Sequence, residues 1–139
     1  MKKILMEEKA LITVTTDMGK ITLPKSVIGN IVMDVIESFD GKVILSDHKG
    51  RVNRLAHKLP KKEDYKFIEI EPNGENIDIR VYVVLKFGTS INNTTKRMID
   101  DIKSEIKAAS GITVETMSVV VAGMLTKNNI ASRHIEVTG

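Results

Sequence analysis

The longest regular pattern in this chain is an alternation of apolar and polar positions over residues 76–87. One side carries only apolar residues, namely Ile77, Ile79, Val81, Val83, Leu85 and Phe87. The other side carries Asp78, Arg80, Tyr82, Val84 and Lys86. Because successive side chains of a strand point to opposite faces, this pattern predicts a strand with one dry face. The preceding Asn73-Gly74 pair is typical of a type I′ hairpin turn, which would pair this strand with residues 65–71.

Two segments repeat apolar residues at helical spacing. The first covers residues 24–39, with Pro24 suited to the first helical position and Gly41 to the C-terminal end. The second covers residues 93–110, with Asn92 or Asn93 as N-cap and Gly111 as C-cap. Its apolar stripe is narrow and consists of Met98, Ile99, Ile102, Ile106 and Ala109. A narrow stripe is typical of a helix that lies on a sheet with its other sides in water.

Shorter strands are predicted at residues 11–15, 20–23, 42–46 and 114–122, and a short amphipathic helix is predicted between Val52 and Leu59. The main order is therefore β-α-β-β-α-β. We expect an α+β fold, a two-layer sandwich with a mostly antiparallel sheet and both main helices on one face. The opposite face would then show apolar side chains to solvent, which makes it a candidate interaction face formed by Tyr82, Val84 and Val120.

The pattern divides the chain into three parts: an N-terminal segment (1–18), one α+β domain (19–122) and a C-terminal tail (123–139) with one weak strand at 134–137. A chain of 139 residues is long enough for one domain with a moderate core. There is no cysteine, which excludes disulfides and thiolate chemistry. No signal-peptide pattern and no run long enough to span a bilayer is found, so we expect a cytoplasmic protein.

Positive charge is concentrated in a basic insert at residues 48–64 of the domain. Six cations and no acid lie between positions 48 and 62, although the whole chain has a formal net charge of only +3. These residues form a candidate anion-contact segment: Lys49, Arg51, Arg54, Lys58, Lys61 and Lys62. They could contact anionic lipid or phosphate. Nucleic acid is disfavoured because the segment lacks interleaved aromatic residues, but a nucleic-acid-binding module remains the alternative function.

No residue pattern points to catalysis, a metal or a cofactor. The glycines are scattered and form no phosphate-binding loop. His48, His57 and His134 have no metal-ligand spacing. Adjacent acids such as Asp100 and Asp101 diverge on a helix and cannot act as a general acid/base pair. We therefore expect a protein that is not an enzyme and that has no catalytic, metal or cofactor-binding residues.

Four stretches in order resemble the alkaline shock protein family, also called the envelope stress response family, of Gram-positive bacteria. They are residues 19–31, the hairpin 68–84, Lys86-Phe87-Gly88-Thr89-Ser90-Ile91 with its helix, and residues 111–121. The resemblance implies a non-enzymatic cytosolic protein of cell-envelope homeostasis. It also implies self-association into a homo-oligomer and a position beside the membrane through a membrane-anchored protein partner. The basic insert and the tail depart from the family pattern.

Overall fold

The computed structural model describes residues 11–52, 68–127 and 129–139. Within these ranges the chain forms two helices and seven strands. The helices are α1 (Lys25–Glu37) and α2 (Ile91–Ser110). The strands are β1 (Leu11–Thr16), β2 (Gly19–Pro24), β3 (Val43–Ser46), β4 (Ile68–Asn73), β5 (Asn76–Lys86), β6 (Val114–Thr126) and β7 (Asn129–Thr138). The predicted α+β class is confirmed, with helix and strand segments in the expected order.

The main sheet is built around β5. On one edge, β3 pairs with the second half of β5 and β4 with the first half, both antiparallel. On the other edge β5 pairs in parallel with β6, which in turn pairs antiparallel with β7. The β1–β2 hairpin forms a separate two-stranded antiparallel sheet. The sheet is therefore mostly antiparallel, as expected, and its parallel pair is connected by α2.

The predicted dry face of β5 forms the centre of the core. Ile77, Val81 and Leu85 are fully buried, and the neighbouring strand β6 adds Met117, Val119 and Val121 to the same cluster. From the helices, Met98, Ile102 and Ile106 of α2 and Ile28 and Val32 of α1 complete it. Both helices thus cover one face of the sheet, and most residues of the apolar stripes predicted for them are core. Val27 of α1 and Ala109 of α2 are exceptions, since both are exposed.

Several local predictions were wrong in detail. Phe87 is 72% exposed, because β5 ends at Lys86 and Phe87 lies in the following turn. The N-cap of α2 is Ser90, whose hydroxyl accepts a hydrogen bond from the N–H of Asn93. The β4–β5 loop consists of Gly74 and Glu75, and only Gly74 has a positive φ, of 61°. A type I′ turn needs two positive φ values, so the predicted turn type is also wrong.

Residues 123–139 do not form the predicted tail. β6 continues to Thr126 and β7 returns beside it, so that Val119 faces Val137 and Met124 faces Ala131. The register shifts between Val121 and Gly123. The weak strand predicted at 134–137 is therefore part of a ten-residue strand that extends the main sheet.

Candidate interaction surfaces

The sheet face opposite the helices is not the open surface expected for Tyr82, Val84 and Val120. Val84 and Val120 are fully buried and Tyr82 is half-buried. The expectation failed because it treated every face that lacks a helix as solvent-exposed. Among the described residues, two parts of the chain cover this face.

The first cover is the turn that follows β3. Val52 forms an isolated bridge with Ser46, which turns residues 47–51 back over the sheet. Gly50 has a φ of 81°, and a β-carbon built on it would lie 3.0 Å from the carbonyl oxygen of Ala122. The ring of His48 meets the ring of Tyr82 edge-on, with 6.4 Å between centroids. The turn therefore packs closely against the backbone of β6 at Gly50 and against β5 through the His48 ring, and a side chain at position 50 would be strained.

The same turn contains two of the predicted anion-contact residues, Lys49 and Arg51, and determines whether their charges are paired. The Asp47 carboxylate accepts hydrogen bonds from the N–H groups of Lys49 and Arg51 and pairs with the Arg51 guanidinium at 2.6 Å. Partial burial opposes ionisation of Asp47, but these hydrogen bonds outweigh it and lower its pKa. The charge of Arg51 is thus matched within the turn, whereas Lys49 is exposed. Arg54, Lys58, Lys61 and Lys62 lie outside the described residues, as does most of the predicted helix between Val52 and Leu59.

The second cover is a polar network around Arg80. Arg80 Nε donates to the Tyr82 hydroxyl at 3.1 Å, and that hydroxyl donates to Glu69 on β4 at 3.2 Å. The Arg80 guanidinium also pairs with Glu136 on β7. Burial would lower the pKa of Arg80, but the hydrogen bond to Tyr82 and the nearby Glu136 and Glu69 raise it. Because β6 lies between β5 and β7, the side chain of Arg80 crosses β6, the strand that carries Val120, to reach Glu136.

Strand β7 is the surface that the sequence reasoning missed. It comes last in the strand order, and among the described residues its one partner strand is β6. All but one of its ten residues are exposed, including Ile130 at 36% and Ile135 at 37%. The alternation of side chains between the two faces of β7 is interrupted at Arg133 and His134, where the register with β6 shifts. The sequence of β7 therefore shows only a weak alternation of apolar and polar residues. Ile135 and Val137 supported only the short strand predicted at 134–137, and the β-branched residue Ile130 was the signal that could have extended it.

Within residues 11–52, 68–127 and 129–139, no three His, Asp or Glu side chains come together as metal ligands would. In the same part of the chain, neither helix combines the length and hydropathy needed to cross a membrane.

Comparisons with known proteins agree with the resemblance. The model of the alkaline shock protein family, described by a cell envelope-related function, matches residues 13–126. This range runs from β1 to the end of β6 and leaves β7 outside. The uncharacterised protein YloU of Bacillus subtilis (strain 168) is 21% identical over 117 residues, which cover 84% of this chain and 98% of that relative. No solved structure matches the chain at a significant level. Since the family model covers most of the chain, the chain belongs to the alkaline shock protein family, whose function is related to the cell envelope.

Proposed function

We propose that this chain is a non-enzymatic cytoplasmic protein that serves the cell envelope by contact. It assembles with copies of itself and docks to a membrane-anchored protein, with direct contact to anionic lipid as a secondary interaction. Membership of a family with a cell envelope-related function supports the general role. The observation that carries the proposed mode of action is the exposed outer edge of β7.

The outer edge of β7 suits strand addition because it lacks two usual forms of protection, short length and proline, although its register with β6 shifts at Arg133 and His134. Natural edge strands avoid pairing by being short, by containing proline, or by pointing charges inward. β7 has ten residues, contains no proline and exposes both Ile130 and Ile135. A second copy could add its own strand here through backbone hydrogen bonds. This edge replaces the Tyr82, Val84 and Val120 face in the proposal, since the two valines are buried.

The ladder of β6 and β7 identifies which backbone groups point outward. Met117 and Gly139 exchange two hydrogen bonds, of 2.9 and 3.0 Å. Bonded and non-bonded pairs alternate in an antiparallel ladder, so Val119 and Val137 form the next bonded pair. Glu136, which faces Val120, therefore directs its N–H to the outer edge. Proline at position 136 would remove that donor without removing a hydrogen bond to β6.

Glu136→Pro and Glu136→Ala form a matched pair for testing self-association. Both lose the ion pair with Arg80, but only the proline variant loses the outward N–H. We expect sedimentation velocity to show assembly of the wild type and the alanine variant at about 100 μM, and a monomer for the proline variant. A circular dichroism spectrum checks that each variant is folded. A wild-type chain that stays monomeric up to about 1 mM rejects self-association.

Docking is tested separately in cells that contain the tagged full-length chain. We expect crosslinking to join it to a protein with a transmembrane segment. Comparing the crosslinks of the two Glu136 variants shows whether self-association is needed for that contact. Recovery of the tagged chain without any membrane protein contradicts the docking proposal.

A further inference from the structure

We infer that a cavity at the start of α2 is a binding site for a phosphate group. The cavity has a volume of about 470 Å³ and lies between the turn after α1, the end of β5 and the first turns of α2. Its lining includes Lys42, Lys86 and Arg97 and no carboxylate. Its lining includes no residue of β7 or of the basic insert, and the proposal does not depend on self-association.

Backbone pairing holds the two lysines at one mouth of the cavity. The N–H of Lys86 donates to the carbonyl of Lys42 at 2.8 Å, just beyond the β3–β5 ladder. The N–H of Phe87 donates to Leu125 at 2.8 Å, and that of Thr89 to Lys86 at 3.0 Å. Both lysine side chains are exposed here and can reach one bound anion. The main-chain bonds fix the backbone around the site.

Arg97 is held in place by two contacts. Its guanidinium carbon lies 4.4 Å from the centroid of the buried Phe39 ring, and its Nε lies 3.6 Å from an Asp101 carboxylate oxygen. Asp101 is outside the lining of the cavity. A guanidinium has several N–H donors in a planar fork, so Arg97 can pair with Asp101 and still bind a phosphate oxygen. Stacking on Phe39 fixes the plane of that fork.

The polar groups between the cations suit the same ligand. Thr89, Ser90 and Asn93 line the cavity, and the N-terminal end of the twenty-residue α2 has no acid in its first turn. The positive end of the helix dipole therefore adds to the field of the three cations. The lining includes no imidazole or carboxylate to transfer a proton, so this arrangement binds an anion without converting it.

The exposed ring of Phe87 at the rim indicates what carries the phosphate. This side chain is 72% exposed beside Lys86, where it can contact an apolar or planar group attached to the anion. A phosphorylated small molecule and a phosphomonoester lipid headgroup share this chemistry. The experiment below distinguishes these two sources.

Inorganic phosphate is titrated into ¹⁵N-labelled full-length chain, with chloride of equal ionic strength as the reference. We expect saturable amide shifts at residues 86–94. The double variant Lys42→Gln/Lys86→Gln should weaken phosphate binding at least about fivefold, and so should Arg97→Gln. The control Lys96→Gln removes one positive charge from α2, as Arg97→Gln does, but at a residue outside the cavity lining. It should change the phosphate affinity less than about twofold.

Because Arg97 packs on Phe39, Arg97→Gln could unfold the chain. In that case the double lysine variant decides the test. No saturable shift at residues 86–94, or equal weakening by Lys96→Gln, overturns the site. Vesicles of phosphatidylcholine with and without phosphatidate then identify the source. Recruitment to phosphatidate that inorganic phosphate displaces supports a lipid headgroup, and phosphate binding without recruitment supports a soluble phosphorylated ligand.

Discussion

Two glycines on the sheet face opposite the helices lie where a β-carbon would collide with a neighbouring segment. Gly50 lies against the carbonyl of Ala122 and has a positive φ, so a side chain there is both crowded and strained. Gly123 has no positive φ, and crowding alone excludes a side chain from it. A β-carbon at Gly123 would lie 2.6 Å from Cγ2 of Ile130 and 3.2 Å from the carbonyl oxygen of Ala131. At both positions the absent side chain is what lets the segments close together.

We expect Gly123→Ala to lower the free energy of unfolding by about 1–3 kcal/mol, the usual cost of overpacking. Urea unfolding of the full chain measures it. Ile130→Ala removes the nearest clashing atom, so the double variant should recover part of the loss relative to the two single variants. A change of less than about 0.5 kcal/mol in Gly123→Ala would show that β7 moves aside at little cost.

At the scale of elements, long periodic segments were predicted well and their ends less well. The dry face of β5 and the buried stripe of α2 follow from spacing alone, because burial needs one apolar side. Ser90 was missed as the N-cap because Asn92 and Asn93 offered equally good capping side chains. The candidate interaction face was wrong because the turn after β3 and the ion-paired side chain of Arg80, on β5 itself, cover it. The cover by the turn leaves no periodic signal in the sequence.

The C-terminal end of α2 is an element boundary that was predicted correctly, and it can be tested. Gly111 adopts a left-handed φ of 77°, and its N–H donates to Lys107 at 2.9 Å. No atom lies within 4 Å of a β-carbon built there, so the cost of a substitution is purely conformational. We expect Gly111→Ala to lower the free energy of unfolding by about 1 kcal/mol and Gly111→Asn by less. Equal losses in urea unfolding would show that the left-handed conformation is not the cause.

At the scale of the whole molecule, stability is expected to be greatest at the centre of the main sheet. β5 is paired on both edges and its core-facing side chains are fully buried, whereas β1 and β2 form a separate small sheet. We predict that amides of β5 and β6 exchange with deuterium most slowly, and that those of the β1–β2 hairpin exchange earlier. Hydrogen-exchange mass spectrometry of the dilute full chain measures this order. Uniform protection of both sheets would contradict it.

The position of the parallel pair has a consequence for biosynthesis. The hairpins β1–β2, β4–β5 and β6–β7 join strands that are neighbours in the chain, so each can form soon after its residues leave the ribosome. The parallel pairing of β5 with β6 must wait until α2 and β6 have emerged, since the helix connects them. Until then the nascent chain holds β5 with one edge unmatched, and it is most exposed to misassociation while α2 and β6 are being translated.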